Sequence, residues 1–211
     1  AKLLWELFEL IALEMAAAET EAVDLPFLQL AVDFTFERAL KDPSDLAKLR
    51  HKAGSFALMD IDARQGYRRF PHTEISNHFL SSALLKEILS DKVPRFLRRG
   101  YFGTDFLQIV GEQMLELTTE SLVDLRSKLR DLTRNDLGAE RLTDNAGSLL
   151  ITSAVVDSGE EFTIERVNAG DAVLFGTAGL VQMTETNINR LDCRGADVSC
   201  INFYNCSIST V

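Results

Sequence analysis

From Ala178 onward the chain repeats every five residues: Ala178, Met183, Ile188, Cys193, Val198, Phe203 and Ile208 are all apolar. Two places earlier stand Gly176, Val181, Thr186, Leu191, Ala196, Ile201 and Cys206, mostly small or apolar. The three other registers are nearly all polar, apart from Leu180, Cys200 and Tyr204. With 46% apolar residues, seven in a row in any of five registers arises by chance about two times in a hundred. A five-residue period matches neither the 3.6 of a helix nor the 2 of a flat strand. It matches a stacked solenoid, in which each side of a coil turns two side chains inward. Asn187, Asn189, Asn202 and Asn205 suit its tight corners, because asparagine tolerates the left-handed region. Cys193 and Cys206 take inward positions, and Cys200 points outward with nothing basic beside it.

These positions resemble a pentapeptide-repeat β-helix over about 34 residues. Residues 149–175 (Leu149-Leu150-Ile151, Val155-Val156, Phe162, Ile164, Val167, Val173) read as strand-like without that period, as irregular first coils would. From 147 to 211 there is no lysine, and three Arg stand against eight Asp and Glu, a net of −5.

Upstream the chain reads as helical. Residues 2–19 carry Leu3, Leu4, Leu7, Leu10, Ile11, Met15 and Ala18 at helical spacing, with Trp5 and Phe8 widening the face. Asp24 reads as an N-cap and Pro26 as first-turn proline of a second helix through Leu40. Its expected buried stripe is Phe27, Leu28, Leu30, Ala31, Phe34 and Leu40. Asp45 to Lys52 makes a third helix. Residues 55–62 alternate as a strand, 63–66 turn, and 67–70 return as a second strand. Three helices then a hairpin is the order of a winged-helix module. Lys48, Arg50, His51 and Lys52 lie on or beside its third helix, and Arg64, Arg68 and Arg69 on its wing.

Thr73 to Leu89 is a further helix with Ile75, Phe79, Leu80, Ala83, Leu84 and Ile88 on one face. His72 falls at its opening, where unpaired N–H groups suit an anion. Pro94 is expected to open a helix that puts Arg95, Arg98 and Arg99 on one face. Residues 104–117 and 119–133 read as two more helices. Asp136 to Gly147 reads as a loop, with no apolar periodicity.

The order over residues 1–90, with Phe70, Pro71, His72 and Phe79, resembles the winged-helix segment that follows the nucleotide-binding core of STAND NTPases, the NACHT and related signalling ATPases. The resemblance implies that His72 contacts the β-phosphate of ADP and holds a closed resting state. It implies a regulatory arm and a sensor, and a role in antiviral defence. The chain departs from the family in lacking any G-x-x-x-x-G-K-[ST] sequence, so it does not hydrolyse ATP alone. The NTPase core, and with it ADP or ATP, is expected upstream of Ala1. The chain begins with Ala in mid-helix, as an excised piece would.

The fold expected is therefore α+β, with a winged-helix domain at 1–90, a helical arm at 91–135 and a β-solenoid at 148–211. A protein ligand or partner is expected at the C-terminal repeats, and oligomerisation on activation. The alternatives are a winged-helix DNA-binding regulator with an acidic repeat tail, and a pentapeptide protein whose acidic face mimics DNA. A net charge of −10 disfavours general nucleic-acid or anionic-membrane binding. Three cysteines form no disulfide framework, and no run of eighteen apolar residues occurs, so a cytoplasmic location is expected. His72 and His78 lie six apart, off metal-pair spacing. Ser81-Ser82 lacks a base, and Glu112 with Glu116 reads as a solvated helix face.

Overall fold

Asp24 and Pro26 do set the start of the second helix: the Asp24 carboxylate accepts the Phe27 N–H at 2.8 Å, and proline fills the first turn where no N–H is needed. Asp42 repeats the device at the third helix, accepting from Ser44 N–H at 2.8 Å. The computed structural model describes residues 2–40, 42–56, 58–134, 140–156, 161–175 and 179–211. Its fold is α+β, with helices first and small parallel sheets at the C-terminal end. It divides into two units, 1–83 and 84–211, the division falling inside α4.

Unit one holds α1 (Lys2–Ala17), β1 (Val23–Asp24), α2 (Leu25–Phe36), α3 (Pro43–Lys52), β2 (Asp60–Ile61), β3 (Tyr67–Arg69) and the start of α4 (Thr73–Leu89). The three strands pair antiparallel in the order β1-β3-β2, with Val23 opposite Arg68 and Asp60 opposite Arg69. Gly66, at φ +84°, takes the left-handed position of the hairpin turn. The strand expected over 55–62 is shorter. Ala53–Ser55 form a 3₁₀ turn, Met59 N–H closes on Phe56 C=O at 2.9 Å, and Ala57 lies outside the described residues. Phe56, Leu58 and Met59 pack into the core instead of alternating.

That core joins Leu7, Phe8, Ile11 and Met15 of α1 to Leu28, Ala31, Val32 and Phe36 of α2 and to Phe70 and Phe79. Phe70 stacks on Phe79 at 5.8 Å, and Phe8 lies 5.3 Å from Phe79. Each such buried ring contributes on the order of 2–3 kcal/mol. The stripe expected for α2 is corrected here: Leu30 and Phe34 are 64% and 79% exposed, and Val32 and Phe36 take the buried places.

Unit two begins within α4 and continues through a 3₁₀ turn (Arg95–Arg98), α5 (Thr104–Met114), α6 (Thr119–Thr133) and α7 (Glu140–Thr152). Arg95, Arg98 and Arg99 therefore do not share an α-helical face: the turn ends at Arg98, and Arg99 leaves it at ψ −117°. The expected loop at 136–147 is also corrected. Residues 136–139 lie outside the described residues, and from Glu140 the chain is helix. Its buried stripe was hidden because it carries Asn145 and Ala146 beside Leu142 and Leu149. Asn145 is fully buried and uses its whole amide. Its NH₂ donates to Leu97 C=O (2.9 Å) and Gly100 C=O (3.0 Å), and its oxygen accepts Phe102 N–H (3.3 Å).

Six strands follow: β4 (Phe162–Glu165), β5 (Asn168–Val173), β6 (Val181–Thr184), β7 (Asn187–Asp192), β8 (Ile201–Tyr204) and β9 (Ser207–Thr210). They form two parallel sheets, β4-β6-β8 and β5-β7-β9. Phe162 sits beside Val181 and Val181 beside Ile201; Asn168 sits beside Asn187 and Asn187 beside Ser207. Each strand–corner–strand rung thus repeats the one before it. The corner is left-handed every time, at Arg166, Glu185 and Asn205 with φ of 55°, 50° and 54°. Of the four asparagines expected at corners, only Asn205 is at one. Asn187 and Asn189 lie in β7 and Asn202 in β8. Asn187 instead donates its amide to Asn168 on the neighbouring rung at 3.0 Å.

Val181, Met183, Thr186, Ile188 and Leu191, drawn from both five-residue registers, are all buried, but Cys193, Cys206 and Ile208 are half-buried and Phe203 is 43% exposed. Gly176 and Ala178 lie outside the described residues. The segment expected to lack the period has it: Phe162, Ile164, Val167, Ala169, Ala172 and Leu174 are buried at the same spacing. The pairing shifts by one residue between the first and second rungs, which moves the register and hides the continuity. Leu149-Leu150-Ile151 belongs to α7 and Val155 to a 3₁₀ turn, not to strands.

The first rung's free edge is covered within the unit. Arg130 of α6 donates to Thr163 C=O at 3.2 Å, and Thr152 of α7 accepts Val173 N–H at 3.4 Å. Gly147 lets α7 approach closely, since a Cβ there would lie 2.1 Å from Asn168 C=O.

Candidate functional site

His72 is positioned by its neighbours on both sides. Phe70 ends the strand by locking into the Phe8–Phe79 cluster, and Pro71 breaks it. The His72 carbonyl then accepts Ile75 N–H (3.2 Å) and Ser76 N–H (3.3 Å), which makes His72 the residue that opens α4. Its imidazole is exposed and lines an open cleft of about 310 Å³. Arg69, Thr73, Ser76 and Asn77 share that cleft, with Thr20 and Glu21 on the α1 side. The cleft thus gathers an imidazole, a guanidinium, three hydroxyls, a carboxylate and the first turn of a seventeen-residue helix. Such a set can donate hydrogen bonds to an anion, with the Glu21 carboxylate on the same lining opposing it.

The basic residues of α3 and the hairpin are mostly engaged at home. Lys48 pairs with Asp45 at 2.8 Å, Arg50 with Asp33, and Arg64 with Asp62 at 2.8 Å. The Arg64 bonds hold the Asp62 carboxyl below the usual carboxylate range. Arg68 donates to Gly54 C=O and Tyr67 C=O. Arg95, Arg98 and Arg99 are exposed and do not form a clamp.

The nucleophile candidates are engaged too. Ser81 donates to His78 C=O within its own helix (3.0 Å), and Ser82 bonds the buried Glu9 carboxylate at 2.6 Å. Glu112 accepts from Gln108 on the helix surface at 3.2 Å. All three cysteines are unpaired and half-buried. Cys206 donates to Met183 C=O at 3.3 Å; burial, aided by the Asp192 charge, pushes the Cys193 thiol up. Among the described residues, no group of three or more His, Cys, Asp and Glu side chains is placed to hold a metal ion. Among them too, no helix is long and apolar enough to cross a membrane.

Asp192 is buried at the end of β7 and binds Arg194 through the guanidinium (2.9 Å) and the backbone N–H (3.1 Å). The Arg194 bonds hold its carboxyl below the aspartate value of 3.8. A depressed folded value means the stabilisation is present above that value and is lost as pH falls through the folded one. Asp192→Asn is therefore expected to lower stability at neutral pH, with a cost that shrinks as pH falls below the ordinary aspartate range and through the depressed folded value. Urea unfolding of both proteins across that range checks it; a difference independent of pH removes the ion pair as cause.

One cluster escaped the sequence reading. Arg126, Arg130 and Arg134 recur at four-residue spacing along α6 and its C-cap, a pattern visible in the sequence had the helix surface been charted for cations. Arg126 is 5% exposed, donates to Ser153 C=O (2.7 Å) and Val156 C=O (3.1 Å), and lies 4.1 Å from the Phe162 ring centre. Burial, with the charge of Arg130 nearby, lowers its pKa to about 10.

No family model, curated protein or solved structure matches this chain.

Proposed function

We propose that this chain is a regulatory and sensor region of a STAND-type signalling NTPase of the cytoplasm, serving antiviral defence. Unit one is its winged helix: the order helix, strand, helix, helix, hairpin, with β1 laid beside the returning strand β3, supports that reading. The two parallel sheets are successive coils of a pentapeptide-type β-solenoid, supported by the repeated left-handed corner and the five-residue burial pattern. That solenoid docks a protein partner, and the liganded protein oligomerises.

The observation that carries the proposal is the exposed imidazole of His72 on an open cleft at the start of α4. ADP would bring a diphosphate, held chiefly by an NTPase core that this chain lacks. The residues present fit one face of such a group: His72 donates to a phosphate oxygen, and Arg69 adds a positive charge from the same cleft. The contact favours the closed state, and a ligand on the solenoid favours the open one. The alternative of a DNA reader draws little support, because Lys48, Arg50 and Arg64 are paired with carboxylates and Arg68 with backbone carbonyls.

The test is His72→Ala in the protein as its gene encodes it. Loss of a hydrogen bond to a charged group should weaken ADP retention about ten- to a hundred-fold and raise resting activity. Bound nucleotide released on denaturation is the readout. Equal ADP content in the two proteins would falsify the role of His72.

A further inference from the structure

We propose that the cavity between α6 and β4 is an oxyanion site that takes a single phosphate group on Arg130 and Arg134. The cavity, about 350 Å³, is lined by both arginines together with Thr133, Thr163 and Glu165. It lies in unit two and owes nothing to the His72 cleft.

The reason is charge that the described residues leave unbalanced. The chain carries 32 Asp and Glu against 22 Lys and Arg. Arg50, Arg64, Arg166 and Arg194 each pair with a carboxylate, whereas Arg130 and Arg134 line a cavity. Arg126, Arg130 and Arg134 form no such ion pair among the described residues. Two of the three crowd one aromatic ring, with Arg126 and Arg130 4.1 and 5.4 Å from the centre of Phe162. Burial, and after it the charge of Arg130, disfavour the charged form of Arg126. A small anion in the adjoining cavity relieves that repulsion.

The donors are available. Arg130 uses one N–H group on Thr163 C=O, and a guanidinium offers five. Arg134 is exposed and makes no side-chain hydrogen bond to the described residues. The Thr133 hydroxyl, by contrast, is spent on Arg130 C=O at 2.8 Å. Glu165 brings one negative charge against the two arginines, so the lining is net +1. That balance suits one phosphate group and not a polyanion. Phosphate and the monophosphate of a nucleotide share this chemistry, and the experiment separates them.

The experiment is thermal unfolding of the whole chain in low-millimolar inorganic phosphate against chloride at equal ionic strength. A saturable rise of roughly 3 °C is expected with phosphate. The exposed Arg134→Ala protein should fold normally and lose the rise, and His72→Ala should keep it. Adenosine monophosphate acting at a lower concentration than phosphate would identify a phosphorylated metabolite as ligand; equal potency would identify the free ion. No rise above chloride, or a rise that survives in Arg134→Ala, overturns the proposal.

Discussion

Gly147→Ala is expected to destabilise unit two by about 3 kcal/mol, although it adds a single methyl group to a helix. On an ordinary helix the same change would stabilise by up to about 1 kcal/mol. Here the added carbon would meet Asn168 C=O at 2.1 Å and Val167 Cγ1 at 2.7 Å. The first of these is backbone at the turn into β5, so it cannot swing aside as a long side chain would. Either α7 must lift from the rung or β5 must leave its register with β7. Both movements break the cover over the first rung's edge. Gly100→Ala is the control, since a methyl there meets nothing within 4 Å. Urea unfolding followed by circular dichroism should separate the two by several kcal/mol. Equal midpoints would show that α7 does not press on the sheet.

Ile188→Ala should cost about 3 kcal/mol and Ile208→Ala about 1 kcal/mol, although the residues are neighbours in one ladder and share one register. Ile188 lies in the middle rung, 2% exposed, with Ala169 on one side and Ile208 on the other. Ile208 is half-buried on the last rung of the described strands. Truncation at Ile188 leaves a cavity that two flanking rungs hold open. Truncation at Ile208 leaves a dent that water fills. Denaturant midpoints at matched slope measure both costs. Equal losses would mean that burial does not accumulate from rung to rung.

Much of this was legible in local residue order. The helix start at Asp24 was readable because a cap is a contact between near neighbours, and so was α4; the third helix, expected from Asp45, starts earlier at Pro43 under the Asp42 cap. The period from Val181 to Ile208 was readable because successive strands pair in parallel at one offset, although burial fades by the last strands, where Phe203 is 43% exposed. The candidate at His72 was placed by its chain neighbours too, a proline break followed by an apolar helix.

What local order left open was decided by distant neighbours. Helix α2 carries two apolar stripes, Phe27-Leu30-Phe34 and Leu28-Ala31-Val32-Phe36, and either fits a helical period. Only packing against α1 and Phe70 chose the second and left Leu30 and Phe34 in solvent. Helix α7 was hidden because Asn145 earns its buried place through three backbone groups of the 97–102 segment. The first rung was hidden by a one-residue slip that means nothing until β4 lies beside β6. Residue order alone thus determined the Asp24 cap, the presence of most helices and the five-residue repeat. Tertiary structure chose among faces and registers that are equally good locally, because burial depends on what arrives from elsewhere in the chain.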